Sequence, residues 1–244
     1  MNNEGENIKQ QKEGFTMQKT LIKNAHVISP DVDMENATIV IEGSKIVAVT
    51  TRKVSEKGMT TIVDVGGQYV MPGFIDVHTH GALTYDFCDA DPQAIFKLAE
   101  AKLAEGVTTF LPTTLTVSHE ELLVAAGNAK KYDEAGQPYA KVPGIHLEGP
   151  FINVKCCGAQ NPKFVRKPSI KEVKEIAKVY PVRQISYAVE AEGGAKFAKD
   201  CLKMGVLPSC GHTAAKLKDL MAAYKNGLRH MTHFCNQMTP LHHR

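Results

Sequence analysis

From Pro72 onward the sequence alternates between strand and helix patterns, and that alternation restricts the fold more than any other feature. FIDVH (74–78) is β-branched and aromatic, the composition of a buried pleated surface. Asp91-Pro92 then sets a capping carboxylate before a proline suited to a first helical turn, and Gly106 suits the position just past a helix end. VTTFLPT (107–113) reads as the next strand. Ser118 with Glu121, and Ser169 with Glu172, are capping-box pairs that open two further helices. Between them VPGIHLEGPF (142–151) is a strand running into a long Gly/Pro/Asn-rich loop that extends to Pro168. QISYAVE (184–190) and VLPSC (206–210) read as two more strands. Leu217, Leu220, Met221 and Tyr224 mark one apolar face of a helix, and LRHMTHF (228–234) is a sixth strand candidate. Such alternation implies an α/β fold with a parallel sheet and crossover helices. About six βα units fit an open doubly wound sheet or an incomplete (β/α)8 TIM-type barrel, since a complete barrel takes about 250 residues.

The segment before Pro72 follows a different pattern. LIKNAHVIS, ATIVIEG, KIVAVT and TTIVDV are β-rich runs punctuated by NA, EGS and GG. At roughly fifty residues this small all-β unit has a marginal core and needs a partner. The expected organisation is a disordered polar tail over 1–18, a small N-terminal β-sandwich portion over 19–70 and a partial barrel over 71–244.

A net charge of +3 with scattered basic residues gives no footprint for nucleic acid. No apolar run reaches the length of a membrane span, and the polar N-terminus lacks the apolar segment of a secretory signal. The six cysteines form no CxxC pair or regular spacing. We therefore expect reduced thiols in a cytoplasmic protein with neither nucleic-acid nor membrane partners.

The histidines carry the chemistry. His78 and His80 stand one residue apart at the end of the first strand, so period-two alternation turns both imidazoles to one face. Glu148 ends the third strand, His212 the fifth and His233 the sixth. Active sites of parallel α/β folds collect at the carboxyl ends of strands. A lone histidine near a strand end is more often structural than a ligand, but core packing does not account for four histidines and a carboxylate on one rim. Imidazoles with a carboxylate suit zinc or a similar divalent ion. His26, His119 and His230 receive no role. His146 shares a face with Glu148, which fits either the pocket floor or a hydrogen-bonded structural position.

PGFIDVHTHG following a small β unit resembles the metal-dependent amidohydrolase superfamily. HLEGPF, GAQNP, GHT, THFCNQM and PLHHR look like the N-acetylglucosamine-6-phosphate deacetylases and the related N-acetylgalactosamine-6-phosphate enzymes. The resemblance spans Lys19 to Arg244. It implies a (β/α)8 barrel with a β-sandwich built from both chain ends. It also implies hydrolysis of the acetamide of a phosphorylated amino sugar, in amino-sugar catabolism. The implied metal ligands are Glu148, His212 and His233, with His78 and His80 able to add a second ion, zinc or iron in either case. Asn236 and Arg244 are the implied substrate contacts, beside Gln160 and Gln237. A homodimer is implied for the full-length protein, with Arg244 placed to reach the neighbouring subunit's site.

The chain departs from that pattern in three places. GAQNP carries Gln160 where a histidine is usual, and glutamine hydrogen-bonds without taking a charge. Gln237 replaces a small residue. The resembled enzymes continue past the position of Arg244 through two further βα units and a catalytic aspartate, to which no residue here corresponds. On this reading the 244-residue polypeptide alone has little activity and exposes unpaired strand edges. The competing readings are another amidohydrolase, such as a dihydroorotase-like cyclic amidase with a carboxylated lysine, and a non-catalytic metal-binding fragment.

Overall fold

The computed structural model describes residues 18–240, so the expected tail falls, but for Gln18, outside the described residues, as does Arg244. The chain divides into two compact units at the Pro72–Gly73 junction.

In the first unit β1 (Lys19–Ser29) pairs antiparallel with β2 (Val32–Glu42), and β3 (Lys45–Thr50) pairs antiparallel with β2. The short β4 (Thr61–Asp64) and β5 (Tyr69–Val70) both run parallel to β1. Leu21, Ala25, Val27, Ala37 and Ile39 are buried, while Ile46 and Tyr69 stay exposed. The register of β1 against β2 shifts around Ala25, where Asn24 adopts φ 55°, and Asn tolerates this left-handed geometry better than other side chains. A sandwich needs two sheets, and the described residues of this unit form a single five-stranded one.

The second unit opens with β6 (Phe74–Thr79) and a two-strand ribbon, β7 (Gly81–Ala82) with β8 (Tyr85–Asp86). Strand–helix alternation follows: α1 (Gln93–Ala104), β9 (Val107–Pro112), α2 (His119–Glu134), β10 (Ile145–Glu148), α3 (Ile170–Val179), β11 (Val182–Tyr187), α4 (Gly194–Lys203), β12 (Leu207–Cys210), α5 (Leu217–Lys225) and β13 (His230–Met231). β6 pairs parallel with β9, and β10, β11, β12 and β13 form a parallel sheet in that order. Parallel bridges from Thr109 to Lys141 and from Thr113 to His146 join the two sets. The order is thus the chain order throughout, without the reversal that a doubly wound sheet carries. β10 is buried at all of its positions, the polar His146 and Glu148 included. Its neighbours in the core include Phe110, Tyr132, Ile185 and Tyr187.

The helix starts follow the expected chemistry with one exception. Asp91 accepts the Gln93 N–H at 2.8 Å just ahead of α1. Ser118 and Glu121 exchange both bonds of a capping box at α2. At α3 Ser169 caps Glu172 N–H, but the Glu172 carboxylate turns to Arg166 (Nε 2.9 Å, Nη2 2.8 Å), so only half of that expected box forms.

Candidate metal centre

Four rim segments deliver the site. His78 lies in β6 and His80 just after it, and Glu148 is the last residue of β10. His212 and His233 stand two residues beyond the ends of β12 and β13, a step further along than the sequence pattern suggests. β13 is short because it pairs over two positions only, Ser209 with His230 and Cys210 with Met231.

Glu148, 2 % exposed, is the hub. Its Oε1 lies 2.9 Å from His233 Nε2, 3.3 Å from His212 Nε2 and 3.5 Å from His78 Nε2. Its Oε2 lies 2.9 Å from His80 Nε2. The Nε2 atoms of His212 and His233 are themselves 3.2 Å apart. Two donor triads share the carboxylate: His78, His80 and Glu148, and Glu148, His212 and His233. In each, the ligating atoms lie within 4.8 Å of one another.

Three of the four rings are held by a backbone carbonyl on their far nitrogen. His80 Nδ1 donates to Thr113 O at 3.1 Å, His212 Nδ1 to Cys156 O at 2.8 Å and His233 Nδ1 to Asn236 O at 3.1 Å. A proton held on Nδ1 leaves a neutral ring with a bare lone pair on Nε2. Three such lone pairs then converge on a carboxylate that also offers only lone pairs. That arrangement repels itself unless positive charge sits among the atoms, so the donor set fits a cation. His78 Nδ1 is buried with no partner, which makes it the least constrained ring of the group.

Where no cation sits among these atoms, protons on the Nε2 side supply the positive charge instead. Burial works to raise the Glu148 pKa, but hydrogen bonds from His212 and His80 and the charges of His78 and His80 outweigh it, holding the carboxylate well below its usual range. Burial lowers His78, with only partial compensation from Glu148. His80 is raised: burial opposes its charging, yet the hydrogen bond and charge of Glu148 prevail.

The backbone around the site is unusual as well. His212 (φ 48°), His233 (φ 31°), Cys235 (φ 71°) and Gln237 (φ 50°) all occupy positive φ. Non-glycine residues adopt this region at a cost, and such positions cluster at functional sites.

The profile of the Amidohydrolase family matches residues 69–241, which include every one of these side chains. The chain belongs to the amidohydrolase family. An N-acetylglucosamine-6-phosphate deacetylase from Bacillus subtilis is 31% identical over 229 residues, covering 92% of this chain and 58% of the relative. An N-acetylgalactosamine-6-phosphate deacetylase from Escherichia coli is 32% identical over 186 residues, 75% of this chain and 49% of the relative. Among solved structures, a mutant N-acetyl-D-glucosamine-6-phosphate deacetylase from Mycobacterium smegmatis, in complex with N-acetyl-D-glucosamine-6-phosphate, superposes with TM-score 0.79. That likeness has 26% identity and covers 93% of this chain and 58% of the other. The chain thus spans about half the length of the amidohydrolases it matches.

In this amidohydrolase the cleft is about 320 Å³ and is lined by both triads together with Leu115, Ala159, Gln160, Asn236 and Gln237. Gln160, expected to meet substrate, is buried with its amide engaged at both ends. Its Nε2 donates to Glu148 Oε2 at 2.7 Å and its Oε1 accepts the Thr116 N–H at 2.5 Å. Asn236 and Gln237 do face the cleft, and Arg244 lies outside the described residues. His146 takes the structural alternative: Nδ1 meets Val77 O at 2.9 Å and Nε2 meets Ser186 Oγ at 2.7 Å. The carbonyls of Thr113, Cys156 and Asn236 were invisible to sequence reasoning, because a backbone oxygen carries no residue signature. No helix among the described residues is long and apolar enough to cross a membrane.

Proposed function

We propose that this chain is the metal-binding part of a deacetylase that cleaves the acetamide of N-acetylglucosamine 6-phosphate to glucosamine 6-phosphate and acetate. The observation that carries the reading is the convergence of four imidazoles on Glu148, three of them pinned with bare Nε2 atoms. The printed names of the relatives supply the substrate class, and the Escherichia coli relative keeps the galacto sugar as the alternative. The consecutive strand order supports a partial (β/α)8 barrel over 71–244, with the preceding unit as one layer of a β-sandwich.

On this reading Glu148, His212 and His233 hold a divalent ion, zinc or iron, and His78 and His80 with Glu148 Oε2 offer a second position. A bound ion supplies Lewis acidity, activating water and polarising the acetyl carbonyl. The side chains do the rest. Gln160 holds Glu148 in place through Oε2, and Asn236 and Gln237 present amides to the sugar phosphate at the cleft wall. Arg244 supplies a planar cation suited to the phosphate, in a homodimer. The departing amine needs a proton. Glu148 is the sole carboxylate among the described cleft residues and both its oxygens are engaged, and the family resemblance gives the proton-transfer role to an aspartate that no residue here matches. The cyclic-amidase reading needs a bridging lysine, and no lysine lines the described cleft.

Acetate release from N-acetylglucosamine 6-phosphate by the full-length protein, with and without zinc or iron, tests the proposal. Turnover that Glu148→Gln lowers by at least about 100-fold supports it. Tight zinc binding with no release from either the gluco or the galacto sugar phosphate sinks the deacetylase and leaves a metal-binding protein.

A further inference from the structure

We propose that Glu190 is the positioning residue for His212 and so sets how tightly the centre holds its ion; the proposal rests on the metal-centre reading above. Glu190 follows β11 and lies outside the cleft lining. Its Oε1 accepts Asn153 Nδ2–H at 2.8 Å and the Ala214 N–H at 2.7 Å, and its Oε2 accepts the Thr213 hydroxyl. Those three donors sit on the two segments that grip His212.

One segment is the loop after β10. Asn153 N–H donates to the His212 carbonyl at 2.9 Å, and three residues on, Cys156 provides the carbonyl that takes His212 Nδ1–H. The other segment is the chain immediately after His212, where Thr213 and Ala214 both turn to Glu190. A single carboxylate therefore fastens the ring's hydrogen-bond partner and the ring's own backbone to one point.

His212 draws on the most distant carbonyl of the three pinned rings. His233 takes its carbonyl from Asn236 within its own turn and His80 from 33 residues away, whereas His212 borrows one from a residue 56 positions away, in a loop stiffened by two short 3₁₀ turns. His212 also holds φ 48°, a conformation that persists only where surrounding contacts over-determine it. The carboxylate chemistry is specific too. All three partners donate to the carboxylate, and its negative charge strengthens each bond; a glutamine there keeps an acceptor for Asn153 and Ala214 but gives up the charge and the Thr213 hydroxyl's acceptor.

Zinc affinity of the full-length protein, measured by competition with a chromophoric chelator, tests this alongside circular dichroism of the metal-free protein. Glu190→Gln is expected to weaken zinc about 10- to 100-fold, the range seen when groups behind a ligand are altered. Thr213→Val is expected to weaken it at least about threefold, whereas Thr213→Ser, which keeps the hydroxyl, stays at the wild-type value. Glu192→Gln, on an exposed neighbour paired with Lys167, leaves affinity unchanged. A natively folded Glu190→Gln protein with wild-type affinity overturns the proposal. Should that variant unfold, wild-type affinity in Thr213→Val overturns it equally. Equal zinc binding by wild type and His212→Ala is the separate outcome that removes the metal-centre reading itself.

Discussion

His146 and Glu148 lie two residues apart on one short strand, face the same way, and are used oppositely. Glu148 gathers the ring nitrogens, whereas His146 ties Val77 to Ser186 and stays neutral. Burial, helped by the nearby His78, pushes its pKa down to about 3. Because the folded value lies below the unfolded one, the unfolded chain binds the extra proton, and stability falls as pH drops below about 6.5. Between pH 7 and pH 5 this one residue withdraws about 2 kcal/mol. Urea unfolding at both pH values checks it: His146→Gln is expected to be less stable at pH 7 yet to lose less on acidification, and an unchanged pH slope contradicts the assignment. Gly149, directly after Glu148, makes a second residue-scale case. It sits at φ 79°, and a Cβ there comes 2.1 Å from Thr116 Oγ1. Gly149→Ala therefore displaces the end of β10, with an expected cost of about 2–4 kcal/mol. Thermal melting and zinc titration of the variant report the two consequences, lower Tm and weaker binding.

At the scale of elements, α2 has the complete capping box, and its Ser118 is the cleanest place to measure one. Ser118 Oγ accepts Glu121 N–H at 3.2 Å while Glu121 Oε2 accepts Ser118 N–H at 2.8 Å. Ser118→Ala is expected to cost about 1 kcal/mol in equilibrium unfolding. Ser169→Ala at α3 is expected to cost about as much, since its Oγ likewise accepts the Glu172 N–H at 3.3 Å; what α3 lacks is the returning carboxylate bond, which goes to Arg166 instead. That contrast also marks where sequence reasoning works. The strands that carry His78 and Glu148 and lead to His212 were legible because apolar runs and punctuation are local signals. α4 announces itself poorly: it starts after Gly193 at φ 80°, with no side-chain cap. Nor does any local pattern announce that Gln160 will turn inward to Glu148, since the partner stands 12 residues away across a loop. Which side chains converge was readable; the hydrogen bonds that aim them were not, because a backbone acceptor or a partner across a loop leaves no local signature.

At the scale of the molecule, a cation bound by four separate rim segments stabilises only the folded chain. Zinc at about 100 times its Kd is expected to add about 2.7 kcal/mol, and a chelator to remove it. A Tm that rises with zinc in wild type but not in His212→Ala checks this, and a zinc-independent Tm contradicts it. The parallel strands follow one another in chain order, and that geometry also has a temporal side. Glu148 and His233, which meet at 2.9 Å, are 85 residues apart in the chain. A ribosome therefore delivers His78 and His80 first, then Glu148, and the closing pair of imidazoles last. On the metal-centre reading, the early half offers an ion only the looser seat, and the pinned seat exists once the strand before His233 has docked. Capture of the ion is in this sense a clock reading: it records that synthesis and folding of this stretch have both run to their end.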